Sequence, residues 1–381
     1  MLSFLKYTFD WHDFYVMIGT FTGCLVLRFI GKWLPAVYGG VSRLQAVQAV
    51  HVNPTPRVGG VAIFLSFVLG ALLTFGDITL NVGLLFAATS VLFFAGLLED
   101  IGISVSPRRR LVAATLASLI VIFWGGVILQ RLDFGPADRL LAIDALSVAF
   151  TIFITVGGAN AFNLIDGLNG LASFAAVITA LSLGTIALNA GVLDLAHLNL
   201  IFASSIGGFL VLNFPFGKIF LGDAGAYTIG FLLSWVGVAL VDWAPDVSPW
   251  AVLLTLFWPL SETLFTIVRR LSSRRSTMRP DRMHFHHVVL RSLEICVLGR
   301  RKRHLANPLA TLLMLPFILA PAMIGVMLWN DSWTAFWSVV AFCASYGASY
   351  KTLVRVACRP RRRLSAGLDR RLRQYMLDVG R

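Results

Sequence analysis

Asn160, Asn163 and Asp166 are three polar side chains, spaced three residues apart, between two long apolar runs. This spacing keeps them close to one face of a helix, and Gly167 and Gly170 predict that the helix ends directly after them. A carboxylate and several amides at the edge of a membrane segment are costly unless they take part in binding or catalysis. The alternative is an ordinary turn in which Asp166 caps a helix end. We favour a functional site.

Residues 217–225 form a second polar segment, and it opens the next long apolar run. Lys218 suits a phosphate as a point charge, backbone amides at a helix start are donors to the same anion, and Asp223 suits a metal ion. The Gly–Lys–Ser/Thr order of a P-loop is absent from this segment. The segment therefore predicts a contact with a phosphate and a metal, but not a P-loop.

Two further polar segments lie at the ends of apolar runs. Glu99 and Asp100 are adjacent carboxylates, which are tolerable together when a cation or a proton lies between them and their neighbours. The rival interpretation is a solvated helix end whose counter-charges are the arginines at 108–110. Arg57 stands between two prolines and a Gly pair at the start of a helix, where an anion site is expected. On its own this last segment is better explained as an ordinary Pro/Gly turn at the start of a helix.

Histidines cluster in the longest polar segment, residues 269–306. Three of the seven histidines, His284, His286 and His287, fall within four residues, and Arg282 precedes them. Zinc is the obvious rival, since imidazole is one of its usual ligands. The carboxylates of the other segments and the surrounding arginines favour a magnesium–phosphate site instead, because magnesium prefers carboxylate and phosphate oxygens.

The elements that must position these segments are membrane helices. Of the 381 residues, 57% are hydrophobic and only 13% are charged, about half the charged fraction of a soluble domain. The net charge of +13 would suggest nucleic acid in a soluble protein. In a membrane protein it predicts basic cytoplasmic loops and anionic partners, so we expect no nucleic acid. The four cysteines are scattered and show no metal or redox spacing.

About eleven apolar runs are long enough to cross a bilayer. They lie near residues 14–34, 58–75, 80–98, 111–130, 140–158, 170–190, 198–213, 224–241, 250–268, 308–329 and 332–350. We therefore predict an all-α polytopic membrane protein with one transmembrane catalytic domain, residues 1–350, and a basic cytoplasmic tail, residues 351–381.

The charges of the connecting segments predict the topology. All but three of the 32 Lys and Arg residues fall in alternate connections or at their helix ends, and the other connections are short and acidic. Basic residues collect in cytoplasmic loops, so the N-terminus is predicted outside and the C-terminus in the cytoplasm. The active site is then expected on the cytoplasmic face, in loops 35–57, 99–110, 157–169, 213–223 and 269–306.

Read in order, the polar segments resemble the polyprenyl-phosphate N-acetylhexosamine-1-phosphate transferases, glycosyltransferase family 4. The matching segments are residues 54–60, 99–100, 160–167, 217–223 and 284–287. The resemblance implies that undecaprenyl phosphate attacks the β-phosphorus of a UDP-N-acetylhexosamine, which gives an undecaprenyl-diphospho-sugar and UMP. It also implies Mg²⁺ or Mn²⁺, a multi-pass location in the bacterial cytoplasmic (inner) membrane, and a homodimer in many members.

The resemblance also implies roles for individual residues. The residues expected at the metal are Asp223, Asp100 and Glu99. Those expected to place the nucleotide diphosphate or organise the metal shell are Asp166, Asn160 and Asn163. Those expected to hold phosphate oxygens are Lys218, Arg282, His284, His286 and His287, with Arg57 as a weaker candidate for the lipid phosphate. Two positions depart from the family pattern, because Glu99 and Asn169 stand where the family often has Asp.

Other functions remain open at this point. The His-x-His-His pattern resembles enzymes that initiate surface polysaccharides such as O-antigen more than the peptidoglycan enzymes that transfer phospho-MurNAc-pentapeptide. A transporter is disfavoured, because its ionisable residues would lie near the bilayer midplane and not at one face. An inactive family member is a further alternative because of Glu99 and Asn169. The sequence does not distinguish the donor sugar.

Overall fold

The fold is entirely helical in the residues that the computed structural model describes, which are 10–31, 55–75, 80–272, 283–298 and 302–379. Fourteen α-helices occur in these residues. They are α1 (Trp11–Gly31), α2 (Gly59–Phe75), α3 (Leu80–Asp100), α4 (Pro107–Gly125), α5 (Gly135–Leu141), α6 (Asp144–Ile165), α7 (Leu171–Asn189), α8 (Leu193–Asn213), α9 (Gly222–Trp243), α10 (Pro249–Thr255), α11 (Phe257–Ser272), α12 (Phe285–Leu293), α13 (Arg303–Met327) and α14 (Ser332–Val379). A π-helical turn, Glu294–Leu298, extends α12.

Within the described residues each of the eleven predicted apolar runs overlaps a helix. Two runs are divided: the run near 140–158 begins at the end of α5 and continues in α6, and the run near 250–268 consists of α10 and α11, which meet at 85°. Among the described residues seven helices are long and apolar enough to cross a membrane, or eight spans if this bent pair is one. The chain is therefore a polytopic helical membrane protein. The count of eleven and the sides on which the termini lie stay predictions.

Helix α9 is the centre of the bundle. Every residue of its most apolar stretch is buried, whereas the other candidate spans all leave part of their surface at the periphery. Helices α2, α3, α6 and α7 all pack against it. Without a hydrophobic driving force inside lipid, helices associate through close packing, and small residues allow that packing. Because α9 begins at Gly222 and Asp223, the core of the bundle fixes where this predicted site segment lies.

The contact between α6 and α9 depends on glycine. A Cβ atom at Gly158 would lie 1.8 Å from the Ser234 side-chain oxygen, and one at Gly230 would lie 2.3 Å from the Gly158 carbonyl oxygen. Ser234 in turn donates to the Gly230 carbonyl at 2.8 Å. The two backbones therefore approach as closely as their atoms allow. This contact holds the polar end of α6 beside the start of α9.

The opposite end of α9 is held by one side chain. The guanidinium of Arg131 donates to the carbonyl oxygens of Val241, Ala244 and Val247 at 2.8–3.1 Å, and it also pairs with Asp133. The last carbonyl groups of a helix have no partners within the helix, and a cation near them is favourable. Arg131 thus caps the end of α9 that lies farthest from the predicted site.

Replacing Gly158 with Ala should destabilise the bundle, because the new methyl group displaces Ser234 and strains the α6–α9 contact. Overpacking of this kind costs roughly 1–3 kcal/mol, so we expect a melting temperature several degrees lower in detergent. Gly157→Ala is the matched control, since a Cβ there meets no atom within 4 Å. Equal melting temperatures for the two variants would contradict the close contact.

Candidate active site

The segment before α2 and the segment before α9 are joined by backbone hydrogen bonds. The N–H groups of Gly59 and Gly60 donate to the carbonyl oxygens of Phe220 and Leu221, both at 2.9 Å, and Phe220 donates to Pro56 at 2.8 Å. Two of the sequence-predicted site segments are therefore fixed to each other. This pairing brings the side chain of Arg57 to Asp223, which lies 166 residues farther along the chain.

Asp223 is the residue on which the predicted site converges. Its Oδ1 accepts hydrogen bonds from Arg57 Nη2 at 3.2 Å and from Asn163 Nδ2 at 3.3 Å. Its Oδ2 accepts a hydrogen bond from Arg110 Nη1. The Arg110 guanidinium also lies over the Tyr227 ring, 5.5 Å from its centroid. Charge-assisted bonds of this kind are stronger than neutral ones, so Asp223 is held firmly between its donors.

Asp100 has a different position from the other carboxylates. Its side chain is wholly buried, and its two oxygens accept the backbone N–H groups of Asp223 and Ala224 at 2.9 and 2.8 Å. Those are unsatisfied donors of the first turn of α9, so Asp100 caps that helix from another helix. Gly222 makes the approach possible, because its φ is +78° and a Cβ there would lie 2.5 Å from Asp100 Oδ2.

Asp166 follows the last residue of α6 and lies in the same electrostatic environment. Burial raises the pKa of its carboxyl group to about 8; Asp223 and Asp100 add to the rise, and Arg57 opposes it. The site thus contains three carboxylates, Asp100, Asp166 and Asp223, near the guanidinium groups of Arg57 and Arg110. These five groups carry an excess of negative charge when all are ionised, and a bound cation would compensate that charge.

The donors present fit a magnesium ion that shares its coordination with a substrate. Mg²⁺ is usually held by one or two carboxylates together with water and phosphate oxygens. Asp166 and Asp223 supply such carboxylates, whereas both oxygens of Asp100 are already bonded to backbone N–H groups. Within the described residues, no three His, Cys, Asp or Glu side chains are close enough to bind a metal by themselves.

The histidine segment packs against Gly167, the residue that follows Asp166. A Cβ on Gly167 would lie 2.9 Å from His286 Nε2 and 3.2 Å from His287 Cε1. His286 is fully buried, and neither of its ring nitrogens has a hydrogen-bond partner. Burial holds the pKa of His286 well below its usual range, and the other two histidines lower it further. His286 is therefore neutral and suited to a hydrogen bond more than to a charge contact.

Other predicted residues lie outside these contacts. Glu99 Oε2 accepts the Val105 backbone N–H at 2.6 Å, and the Asn160 amide donates to a carbonyl of its own helix. Lys218 is exposed and its ammonium group lies 5.6 Å from the centroid of the Phe216 ring. Arg282 falls outside the described residues. The roles expected for these residues stay predictions.

Sequence reasoning missed Arg110 as a site residue. It is the last of three arginines in the first turn of α4, where the helix dipole disfavours positive charge. Such a cluster at a helix N-terminus is a signal that a nearby anion compensates it. The anion is Asp223, which lies 113 residues farther along the chain, and a single sequence does not show that pairing.

Asn169 binds structural groups. Its side-chain amide donates to the Pro215 carbonyl at 2.8 Å, and its backbone bonds Asn307 and Thr311 of α13. An aspartate at this position would present an acceptor to the Pro215 carbonyl. Asn169 therefore connects three segments of the chain. The aspartate that the family often has at this position would not make the bond to the Pro215 carbonyl.

The raised pKa of Asp166 predicts a pH dependence for the metal-free protein. A folded-state pKa of about 8, against about 4 in the unfolded chain, means that the fold holds this proton more tightly. The contribution of Asp166 to stability is therefore lost progressively as pH rises from about 4 to about 8. With chelator present, Asp166→Asn should melt several degrees above the wild type at pH 8, and the difference should shrink towards pH 5. A difference that does not vary with pH would contradict this.

Comparison with known proteins gives the same family that the motifs resemble. Residues 82–241 match the model of glycosyl transferase family 4. The decaprenyl-phosphate N-acetylglucosaminephosphotransferase of Mycobacterium tuberculosis (strain ATCC 25618 / H37Rv) is 32% identical over 284 residues, which cover 65% of this chain and 70% of that protein.

Two further relatives come from other bacteria. The probable undecaprenyl-phosphate N-acetylglucosaminyl 1-phosphate transferase of Bacillus subtilis (strain 168) is 28% identical over 69% of this chain and 73% of the relative. The undecaprenyl-phosphate alpha-N-acetylglucosaminyl 1-phosphate transferase of Escherichia coli (strain K12) is also 28% identical, over 64% of this chain and 67% of the relative. The chain therefore belongs to glycosyl transferase family 4, the family of polyprenyl-phosphate N-acetylhexosamine-1-phosphate transferases.

Proposed function

We propose that this chain transfers an N-acetylhexosamine 1-phosphate from a UDP-sugar to a polyprenyl phosphate, with undecaprenyl phosphate as the natural acceptor to test. The products are a polyprenyl-diphospho-sugar and UMP. The observation that carries the proposal is the convergence of Asp223, Asp166, Arg57 and Arg110 at one end of a membrane helix bundle. A membrane-anchored phosphate is able to reach such a site from the lipid, and a soluble nucleotide sugar from the water.

The reaction is a displacement at phosphorus. An oxygen of the lipid phosphate attacks the β-phosphorus of the UDP-sugar, a new P–O bond forms, and the bond from the β-phosphorus to the bridging oxygen breaks. That oxygen leaves with UMP. Because both reactants are anionic, catalysis requires positioning and charge neutralisation more than covalent chemistry by the protein. No base is indispensable, since a phosphate monoester with a second pKa near 6 is largely ionised at neutral pH.

The arginines are suited to neutralise the diphosphate. In the free protein Arg57 and Arg110 both pair with Asp223. Their guanidinium groups match phosphate oxygens in two-bond geometry, so an incoming diphosphate competes with Asp223 for them. Asn163 donates to the same carboxylate and would keep it oriented during this exchange. The neutral His286, packed on Gly167, offers a hydrogen bond at the other edge of the site.

Mg²⁺ is the proposed cofactor, with Mn²⁺ as a substitute, and Asp223 and Asp166 would hold it. A bound Mg²⁺ supplies charge stabilisation for phosphate oxygens. Asp100 would act indirectly, by holding the first turn of α9. Glu99 accepts a backbone N–H and would orient the loop that leads to Arg110.

We further propose the bacterial inner membrane as the location and initiation of a surface polysaccharide, such as O-antigen, as the role. The three relatives named above are N-acetylglucosamine enzymes by name, so UDP-N-acetylglucosamine is the first donor to test. UDP-MurNAc-pentapeptide, the donor of the peptidoglycan branch, is the alternative. Homodimer formation is proposed by analogy with the family.

Release of UMP tests the proposed function. Purified protein with undecaprenyl phosphate, Mg²⁺ and UDP-N-acetylglucosamine should release UMP, and omission of the lipid or addition of chelator should abolish it. A panel with UDP-N-acetylgalactosamine, 6-deoxy donors and UDP-MurNAc-pentapeptide identifies the sugar. Folded protein that releases no UMP with any of these donors would overturn the proposal.

Asp223→Asn and Asp100→Asn should differ in their effects on turnover and on melting temperature. Asp223→Asn removes a carboxylate that would hold Mg²⁺ beside the diphosphate, so we expect turnover to fall at least about 100-fold while the melting temperature stays within a few degrees. Asp100→Asn places an amide N–H₂ against a backbone N–H donor of α9, which leaves a buried donor unsatisfied at a cost of roughly 1–3 kcal/mol. It should lower the melting temperature as well as turnover. Equal thermal stability of the two variants would contradict the capping role of Asp100.

A further inference from the structure

Glu262 is a buried carboxylate that the reaction described above does not use. It lies on α11, a turn and a half after the break from α10, and only 1% of its surface is exposed. Its Oε1 accepts the Phe285 backbone N–H at 2.8 Å and lies 3.2 Å from His284 Nδ1. Its Oε2 accepts the Tyr346 hydroxyl at 2.8 Å. One side chain thus joins α11, the start of α12 and α14.

The bond from Phe285 shows what Glu262 does for the backbone. Phe285 is the first residue of α12, so its N–H has no partner within that helix. His284, which precedes it, makes no side-chain cap of its own. Glu262 supplies the missing acceptor from another helix. A carboxylate near a helix N-terminus is also favoured by the helix dipole.

The contact with His284 fixes the orientation of its ring. Nδ1 lies 3.2 Å from both Glu262 Oε1 and Thr266 Oγ. A carboxylate oxygen is an acceptor, so we assign the Nδ1 proton of His284 to the side that faces Glu262. The Nε2 edge is then left for a different partner. The His284 ring also lies parallel to His286, at an interplanar angle of 8° with centroids 5.7 Å apart.

His286 connects this cluster to the candidate active site. It packs on Gly167, directly after Asp166, and it follows Phe285 in the first turn of α12. A shift in the start of α12 would therefore move His286 relative to Asp166. The ring of Phe285 adds an apolar anchor, because it is fully buried against Trp258 and Tyr346.

We propose that Glu262 is a positioning residue that acts through His284: it docks residues 284–287 against Gly167 and holds the Nδ1 proton of His284. Tyr346 completes the arrangement by bonding the second carboxylate oxygen. This inference rests on the proposed phosphosugar transfer for its kinetic consequences, but the docking itself does not depend on that function.

A double-mutant cycle tests whether Glu262 acts through His284. Glu262→Gln retains size and one acceptor but removes the charge. The loss of a group that orients a functional histidine commonly lowers activity by this order, so kcat should fall at least about tenfold. The KM for the nucleotide sugar should change less than about threefold. In a His284→Asn background the same substitution should have a clearly smaller effect, because the route through His284 is gone and only the bond to the Phe285 N–H remains to be weakened. Additive effects, or an unchanged kcat in Glu262→Gln, would overturn the proposal.

Two further variants accompany this cycle, one as a control and one as a second test. Glu294→Gln is the matched control, since Glu294 follows α12 in sequence and pairs with Arg303, away from the histidines. It should behave as the wild type. Tyr346→Phe removes only the hydroxyl that holds Glu262 Oε2, and it is the second test if Glu262→Gln does not fold. It should lower kcat about threefold or more at constant KM, because one of the bonds that hold Glu262 is lost; an unchanged kcat would count against the proposal.

Hydrogen exchange separates failure of this inference from failure of the proposed function. The backbone amides of residues 284–293 should exchange slowly in the wild type and about tenfold faster in Glu262→Gln, because a neutral acceptor makes a weaker bond than a carboxylate. Glu294→Gln should leave exchange unchanged. If the wild type releases no UMP but Glu262→Gln still accelerates exchange, the reaction is wrong and the docking role stands. Unaltered exchange in Glu262→Gln would overturn the docking role whatever the activity.

Discussion

The carboxylate of Asp100, buried among helices, is the constraint on which the rest of the site depends. The first turn of α9 has backbone N–H groups without helical partners, and it lies where the surroundings of Asp100 exclude water. Asp100 accepts hydrogen bonds from two of these groups, and Gly222 allows the approach because it has no side-chain atom in the way. Since α9 is packed on all sides, this bond fixes Asp223 in space. Arg57, Arg110 and Asn163 then converge on a carboxylate whose position is already determined.

Glu262 caps the start of α12 in the same way, because it accepts the Phe285 N–H. In both cases a carboxylate from one helix caps another helix, and the residue that faces the site lies in the first turn of the capped helix. In such a bond the donor is fixed by the helix that carries it and only the carboxylate side chain has to be ordered, whereas a surface ion pair requires two ordered side chains. The carboxylates of the site therefore divide into two groups. Both oxygens of Asp100 and of Glu262 accept bonds within the protein, although Asp100 Oδ1 also lies 3.6 Å from Arg57 Nε. The bonds of Asp223 come from Asn163 and from two arginines that a phosphate is able to attract.

The helices and the site segments could be predicted from the sequence because their signals are local. A run of apolar residues of bilayer length specifies a span by itself, and polar motifs such as residues 160–167 stand out against such runs. The break between α10 and α11 was missed, since the residues on both sides are apolar. Arg110 and Glu262 were not assigned because their partners lie 113 and 22 or more residues away. The metal role of Asp100 that the resemblance implies stays a prediction, and its bonds to two backbone N–H groups are a property of the fold that the sequence does not show.

The pairing of Arg57 and Arg110 with Asp223 links the binding of the two proposed ligands. While both guanidinium groups bond Asp223, they compensate the carboxylate that a cation would otherwise bind. A cation at Asp223 and Asp166 would take over that compensation and leave the guanidinium groups available to phosphate oxygens. A diphosphate that attracts the arginines would, in the same way, leave Asp223 available to a cation. Each ligand therefore lowers the electrostatic cost of binding the other, and by linkage the effect is equal in both directions.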